Sequence, residues 1–184
     1  MFAPEPLIES LLAPHAPTAD ADFRGYRNDC QRMFRFCLTL AGERASAERD
    51  IYAVAAAFHD LGIFTAGTLD YLAPSCALAR HWLAAQGKSA LDRVVEDMIE
   101  SHHALLSRPG DRDSPTEIFR RADLVDLSLG AIRFGIPSAI VAEVRQSFPN
   151  ASFHRFLVRA FGRRALTHPF ALTPMLKWRP GGSG

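Results

Sequence analysis

The sequence predicts an all-α fold, a single-domain helical bundle of about seven or eight helices. Apolar residues recur at three- and four-residue spacing along most of the chain, and no segment between turn signals alternates as a half-buried strand does. Glycines and prolines fall where such runs stop and start. With 184 residues, 48% of them hydrophobic, the chain has apolar side chains for one sizeable core and too little length for two comfortable domains.

The elements follow in order. From about Asp22 to Ala41, the residues Phe23, Tyr26, Cys30, Met33, Phe34, Cys37 and Leu38 form one apolar stripe that stops at Gly42. Glycine suits that place because it tolerates the left-handed conformation of a helix end. Ser46 is a candidate cap for a second helix. Its run Ile51, Val54, Ala55, Ala56, Ala57, Phe58 is small and apolar nearly all round, as expected of a central helix, and ends at His59-Asp60-Leu61-Gly62. Pro74 fits the first turn of a third helix reaching Gly87, and Ser89 opens a fourth that carries Val94, Val95, Met98, Ile99, His102 and His103. Residues 107–113 (SRPGDRD) read as a turn-rich loop. Ser114-Pro115-Thr116-Glu117 is a helix start, with Ser114 as cap, Pro115 at the first helical position and Glu117 placed to close a capping box. That helix carries Asp123 and Asp126. Pro137 and Asn150 open two further helices near 137–147 and 151–162, followed by a proline-spaced tail over 169–180 expected to lie extended, and by a last Gly-Gly-Ser-Gly of linker composition.

Composition narrows the partners. The formal net charge of +1, from 21 Lys and Arg against 20 Asp and Glu, provides no long-range field for a nucleic acid polymer or an anionic membrane. No window approaches the roughly 18 unbroken apolar residues of a membrane span, and the start MFAPEPLIES lacks the basic and apolar regions of a secretory signal. Three cysteines, Cys30, Cys37 and Cys76, leave an odd thiol, and the first two share one expected helix at a separation too long for a bridge. A reducing cytoplasm is the expected location, and a small molecule the expected partner.

Four polar positions interrupt apolar helix faces: Asp29, His59 with Asp60, His102 with His103, and Asp123. Imidazole nitrogens and carboxylate oxygens together suit a divalent ion such as Zn²⁺, Mn²⁺, Fe²⁺, Co²⁺, Ni²⁺ or Mg²⁺, and helices meeting in a bundle are a recurrent frame for such a site. Neighbouring helical residues diverge by about 100°. His59 and Asp60 therefore share one ion only near a helix end, where Gly62 lets the chain turn.

The segments YRNDCQRMFRFC, AVAAAFHDLGIF, SHH and RRADLVD occur in an order that resembles the HD-domain metal-dependent phosphohydrolase superfamily. The resemblance covers roughly residues 22–130, leaving C-terminal helices over 131–168 and an extended tail over 169–184. It implies an all-α bundle in which His59 and Asp60 are the central metal ligands and Asp123 the closing carboxylate. It also implies hydrolysis of a small phosphate ester or nucleotide. In the slot of the family's opening histidine this chain has Asp29. A site of three carboxylates and one histidine favours a harder ion than Zn²⁺, such as Mn²⁺ or Mg²⁺. Alternatively, the site has lost its metal and the scaffold binds a small molecule or partner, or the chain is a metal-dependent oxygenase or lyase.

His102 and His103 are expected in the outer shell of a mononuclear centre, as catalytic proton donors or within reach of the ion. Asp126 reads as a partner for Arg120, Arg121 or Arg133. Arg120 and Arg121 read either as a solvated face or as phosphate-binding forks, and Thr65 to Tyr71 as a pocket rim. His81 is expected in packing or on the surface. His15, His154 and His168 lie outside the ordered motif.

Overall fold

The computed structural model of the chain describes residues 1–16, 21–66, 70–104, 106 and 111–151. They form eight α-helices: α1 (Pro6–Leu12), α2 (Ala21–Ala41), α3 (Ala45–Phe58), α4 (Leu61–Thr65), α5 (Leu72–Ala85), α6 (Asp92–Ser101), α7 (Pro115–Leu127) and α8 (Ser138–Ser147). Three short 3-10 turns join them at Ala13–His15, Gly42–Arg44 and Ser89–Leu91, and there is no strand among the described residues. The helix expected over 151–162 and the tail over 169–180 lie outside the described residues, as do His154 and His168 and most of the 107–113 loop.

The bundle forms around α3. Its near-continuous apolar run is explained by its neighbours, since it packs on α1, α2, α5, α6 and α7, and every side chain from Tyr52 to Phe58 is buried. The predicted stripe of α2 is buried from Phe23 through Cys37, against α3 on one side and α7 on the other. A single apolar cluster runs from Ile8 on α1 to Phe148 beyond α8, so the ends of the described chain share the core of the 22–130 region. All three cysteines are buried, and none is in a disulfide. No described helix is long and apolar enough to cross a membrane.

Several local expectations are corrected. Ser46 does not cap α3. The chain passes from α2 through left-handed Gly42 (φ +58°) and a 3-10 turn straight into a helix that starts at Ala45, leaving Ser46 inside its first turn. Gly62 does not supply a left-handed turn either. It sits within α4, where its missing side chain admits a neighbour: a Cβ there would collide with the Tyr71 carbonyl oxygen and lie 2.9 Å from Ser75 Oγ. Ser75 Oγ in turn accepts a hydrogen bond from the Gly62 N–H at 3.0 Å. This close approach sets the start of α5, and with it Tyr71, against the segment after the His-Asp doublet. Ser114 does cap α7, accepting from the Glu117 N–H at 3.1 Å. Glu117 itself does not reach back to close the box, because its carboxylate is bound by Arg120 and Arg121.

Candidate metal centre

Two helix C-termini build the site. The last carbonyls of any helix lack intrahelical partners, and both α3 and α6 are followed at once by a histidine whose ring turns back onto one of them. His59 Nδ1 lies 2.8 Å from the Ala56 carbonyl oxygen and His102 Nδ1 lies 2.6 Å from that of Ile99. A carbonyl only accepts, so each Nδ1 carries the proton and each Nε2 is turned the other way, towards the centre. A second-shell bond of this kind fixes ring orientation in metal sites generally. The negative ends of the two helix dipoles meet at the same place, which favours a cation there.

Asp60 receives both imidazoles. Its Oδ2 is 3.7 Å from His59 Nε2 and its Oδ1 is 3.4 Å from His102 Nε2, and all three residues are buried. The Asp60 backbone N–H donates to the Tyr26 hydroxyl at 3.3 Å, and that hydroxyl donates to the Ala57 carbonyl at 2.9 Å, which holds the break between α3 and α4 in place. From α7, Asp123 places its Oδ2 3.6 Å from His103 Nδ1. The other ring nitrogen of His103, Nε2, shares a 2.7 Å hydrogen bond with the Tyr71 hydroxyl. Of the two adjacent histidines, His102 is fully buried and His103 has a side chain 16% exposed, so it is His103 that faces outward.

Two overlapping groups have ligand atoms that all lie within 4.8 Å of one another: His59, Asp60 and His102, and His102, His103 and Asp123. Within them Asp60 Oδ1, His102 Nε2 and Asp123 Oδ2 are buried and have no hydrogen-bond partner. Leaving one buried polar atom unsatisfied costs about 1–3 kcal/mol. The first two face each other across the His59 group and the third belongs to the His103 group, and a donor set of imidazole nitrogens and carboxylate oxygens is one that could hold a divalent metal ion.

The charges of the cluster are coupled. Burial by itself lowers the His59 imidazole, but the carboxylates of Asp60 and Asp29 outweigh it and hold His59 well above the usual histidine range. Burial pushes the Asp60 carboxyl up, and the three surrounding imidazoles pull it well below the usual carboxylate range. His102 is lowered by burial and by the neighbouring His103, which leaves its Nε2 lone pair available.

Asp29, expected as the first ligand, is placed differently from the rest. Its Oδ2 lies 3.3 Å from His59 Nε2, but it belongs to neither group. Its Oδ1 accepts from Arg32 Nη2 at 3.1 Å. Arg32 is almost fully buried and binds both oxygens of Asp126, at 2.6 and 2.7 Å, together with the Phe148 carbonyl at 3.0 Å. The partner of Asp126 is therefore Arg32, none of the arginines expected from its own helix or the loop beyond it. Arg120 and Arg121 are neither a free surface nor phosphate forks, since both are committed to Glu117. His81 is exposed, as expected.

His102 was expected in the outer shell and stands among the candidate ligands. The donor set thus changes from one nitrogen with three carboxylates to a nitrogen-richer one. His102 keeps helical backbone angles (φ −60°, ψ −32°) and so continues the buried stripe of Val95, Met98 and Ile99, but phase alone does not name its partner. The available signal is the position itself: a histidine directly after a helix end meets an unpaired carbonyl three residues back. Tyr71 was read only as part of a rim, and is 1% exposed with its hydroxyl on His103.

No protein-family model, curated protein or solved structure matches this chain.

Proposed function

We propose that the chain is a metal-dependent hydrolase of the HD-domain type, acting on a small phosphate ester or nucleotide at one divalent ion held by His59, Asp60 and His102, with Asp123 beside it. The observation that carries this reading is the pair of overlapping groups, His59–Asp60–His102 and His102–His103–Asp123, in which the buried atoms Asp60 Oδ1, His102 Nε2 and Asp123 Oδ2 lack a hydrogen-bond partner. A divalent ion supplies Lewis acidity and brings the ionisation of water towards neutral pH.

The chain's own residues do the rest. With Nδ1 committed to a backbone carbonyl, His102 offers a single nitrogen. It serves one ion at a time, so the two overlapping groups favour a mononuclear centre. His103 is assigned to proton transfer: it is the outward-facing imidazole, with Asp123 towards one ring nitrogen and the Tyr71 hydroxyl on the other. Phe119, edge-on to both His59 and His102, and Tyr26, against His59, wall the centre with aromatic surface and keep bulk water from it. The near-neutral charge favours a small-molecule substrate over a nucleic acid polymer, and three buried cysteines outside any disulfide fit a cytoplasmic location.

A second reading has its own support. Two histidines and one carboxylate, His59, His102 and Asp60, are also the donor set of Fe²⁺-dependent oxygenases. The two are separated by incubating the metal-stripped protein with Mn²⁺, Co²⁺ or Fe²⁺ and a panel of phosphomonoesters and 5′-nucleotides. The hydrolase reading predicts metal-dependent phosphate release that disappears in His59→Ala. Absence of release with every ion, combined with Fe²⁺-dependent oxygen consumption, would replace it with the oxygenase reading.

A further inference from the structure

The turn that carries His102 and His103 has no regular structure of its own to hold it. α6 ends at Ser101, and the chain turns back through a hydrogen bond from the Ala104 N–H to the Ser101 carbonyl at 2.9 Å. Ala104 is buried, so its carbonyl oxygen needs a donor from elsewhere. That donor is Arg120 Nη1, at 3.0 Å. The guanidinium is itself oriented: Nε and Nη2 bind the two oxygens of Glu117 at 2.8 and 2.7 Å, which points the remaining corner at Ala104. Glu117 is 2% and Arg120 4% exposed, so the arrangement lies inside the protein.

We infer that the Glu117–Arg120 pair is a positioning device for the metal centre, locking the His102–His103 turn to the face of α7 that carries Asp123. Arg120 stands one helical turn before Asp123, so both project from one side of α7. The bond to Ala104 therefore sets the distance between elements that contribute to the same group: His102 and His103 from the turn, and Asp123 from the helix. A buried ion pair is a poor device for stability, since well-packed apolar residues of similar volume serve as well or better. A rigid planar fork that reaches a carboxylate and a carbonyl at once is suited to fixing geometry, and lysine cannot reproduce it. The inference rests on the reading of this cluster as a metal centre.

The test is Co²⁺ affinity, followed by visible absorption of the full chain, in wild type, in the apolar pair Glu117→Leu/Arg120→Met, and in Arg120→Lys, alongside thermal unfolding. The expected result is a thermal midpoint for the apolar pair close to that of wild type with Co²⁺ affinity weakened about tenfold or more, the scale on which outer-shell partners act. If the apolar pair does not fold, Arg120→Lys carries the test: it retains the charge, loses the fork, and is expected to bind Co²⁺ at least about threefold more weakly. A wild type that binds no Co²⁺ overturns the metal-centre reading, and this inference with it. Wild-type Co²⁺ binding that persists at full strength in the variants overturns the positioning role alone.

Discussion

Two buried arginines flank the candidate metal centre, and they tie down different elements. Arg32, on α2, binds Asp126 with its fork and also takes Asp29 Oδ1, while Asp29 Oδ2 faces His59 Nε2 at 3.3 Å. Arg120, on α7, binds Glu117 with its fork and uses its free corner to hold the turn that brings two histidines in. One arginine occupies a carboxylate at the slot where the resemblance implies a histidine. The same side chain, with the same fork-on-carboxylate geometry, thus ties α2 to the chain beyond α8 on one side and the His102–His103 turn to α7 on the other, and the difference lies in what the third corner touches.

The largest effect expected from this contrast is on stability. Arg32→Ala leaves Asp126, Asp29 and the Phe148 carbonyl without their shared partner in a buried position, and loss of about 3–5 kcal/mol in urea unfolding is expected. Arg120→Ala is expected to lose only about 2 kcal/mol, because Arg121 Nε remains 2.9 Å from Glu117 Oε1. Equal losses would show that the two networks are not different in kind. Burial and the neighbouring Asp29 carboxylate push the Asp126 carboxyl up, to about 6, against the pull of Arg32.

A smaller effect sharpens the comparison on the Arg32 side. Asn28 Nδ2 donates to the Pro149 carbonyl at 2.7 Å, next to the Phe148 carbonyl that Arg32 holds. If Arg32 is the main tie between α2 and the chain beyond α8, Asn28→Ala costs about 0.5–1 kcal/mol in the same urea measurement. A loss as large as that of Arg32→Ala would move the anchoring role to the surface.

Much of the fold was legible in the sequence because it depends on local periodicity. The α2 stripe, the all-round apolar α3 and the Ser114 cap of α7 are each set by residues a few positions apart, and each appears as expected. The candidate site was legible in part. His59 and Asp60 share one cluster with His102, while Asp123 lies in a second with His102 and His103. What could not be read depends on distance in space. Arg32 finds Asp126 94 positions away, and nothing in either local sequence names the other. The role of Gly62 depends on the carbonyl of Tyr71, which approaches only after α5 has packed. The inward turn of His102 continues the stripe of Val95, Met98 and Ile99, seven positions after Val95 and with helical backbone angles, although its approach to Asp60 depends on packing.

The central claim is that His102, and not Asp29, completes the ligand set around His59 and Asp60. Elemental analysis of the protein after loading with a divalent ion and exhaustive dialysis tests it most directly, in wild type, Asp29→Ala and His102→Ala. The account predicts about one equivalent in wild type and in Asp29→Ala, and at most about a tenth of that in His102→Ala. Metal retained in His102→Ala but lost in Asp29→Ala would contradict it.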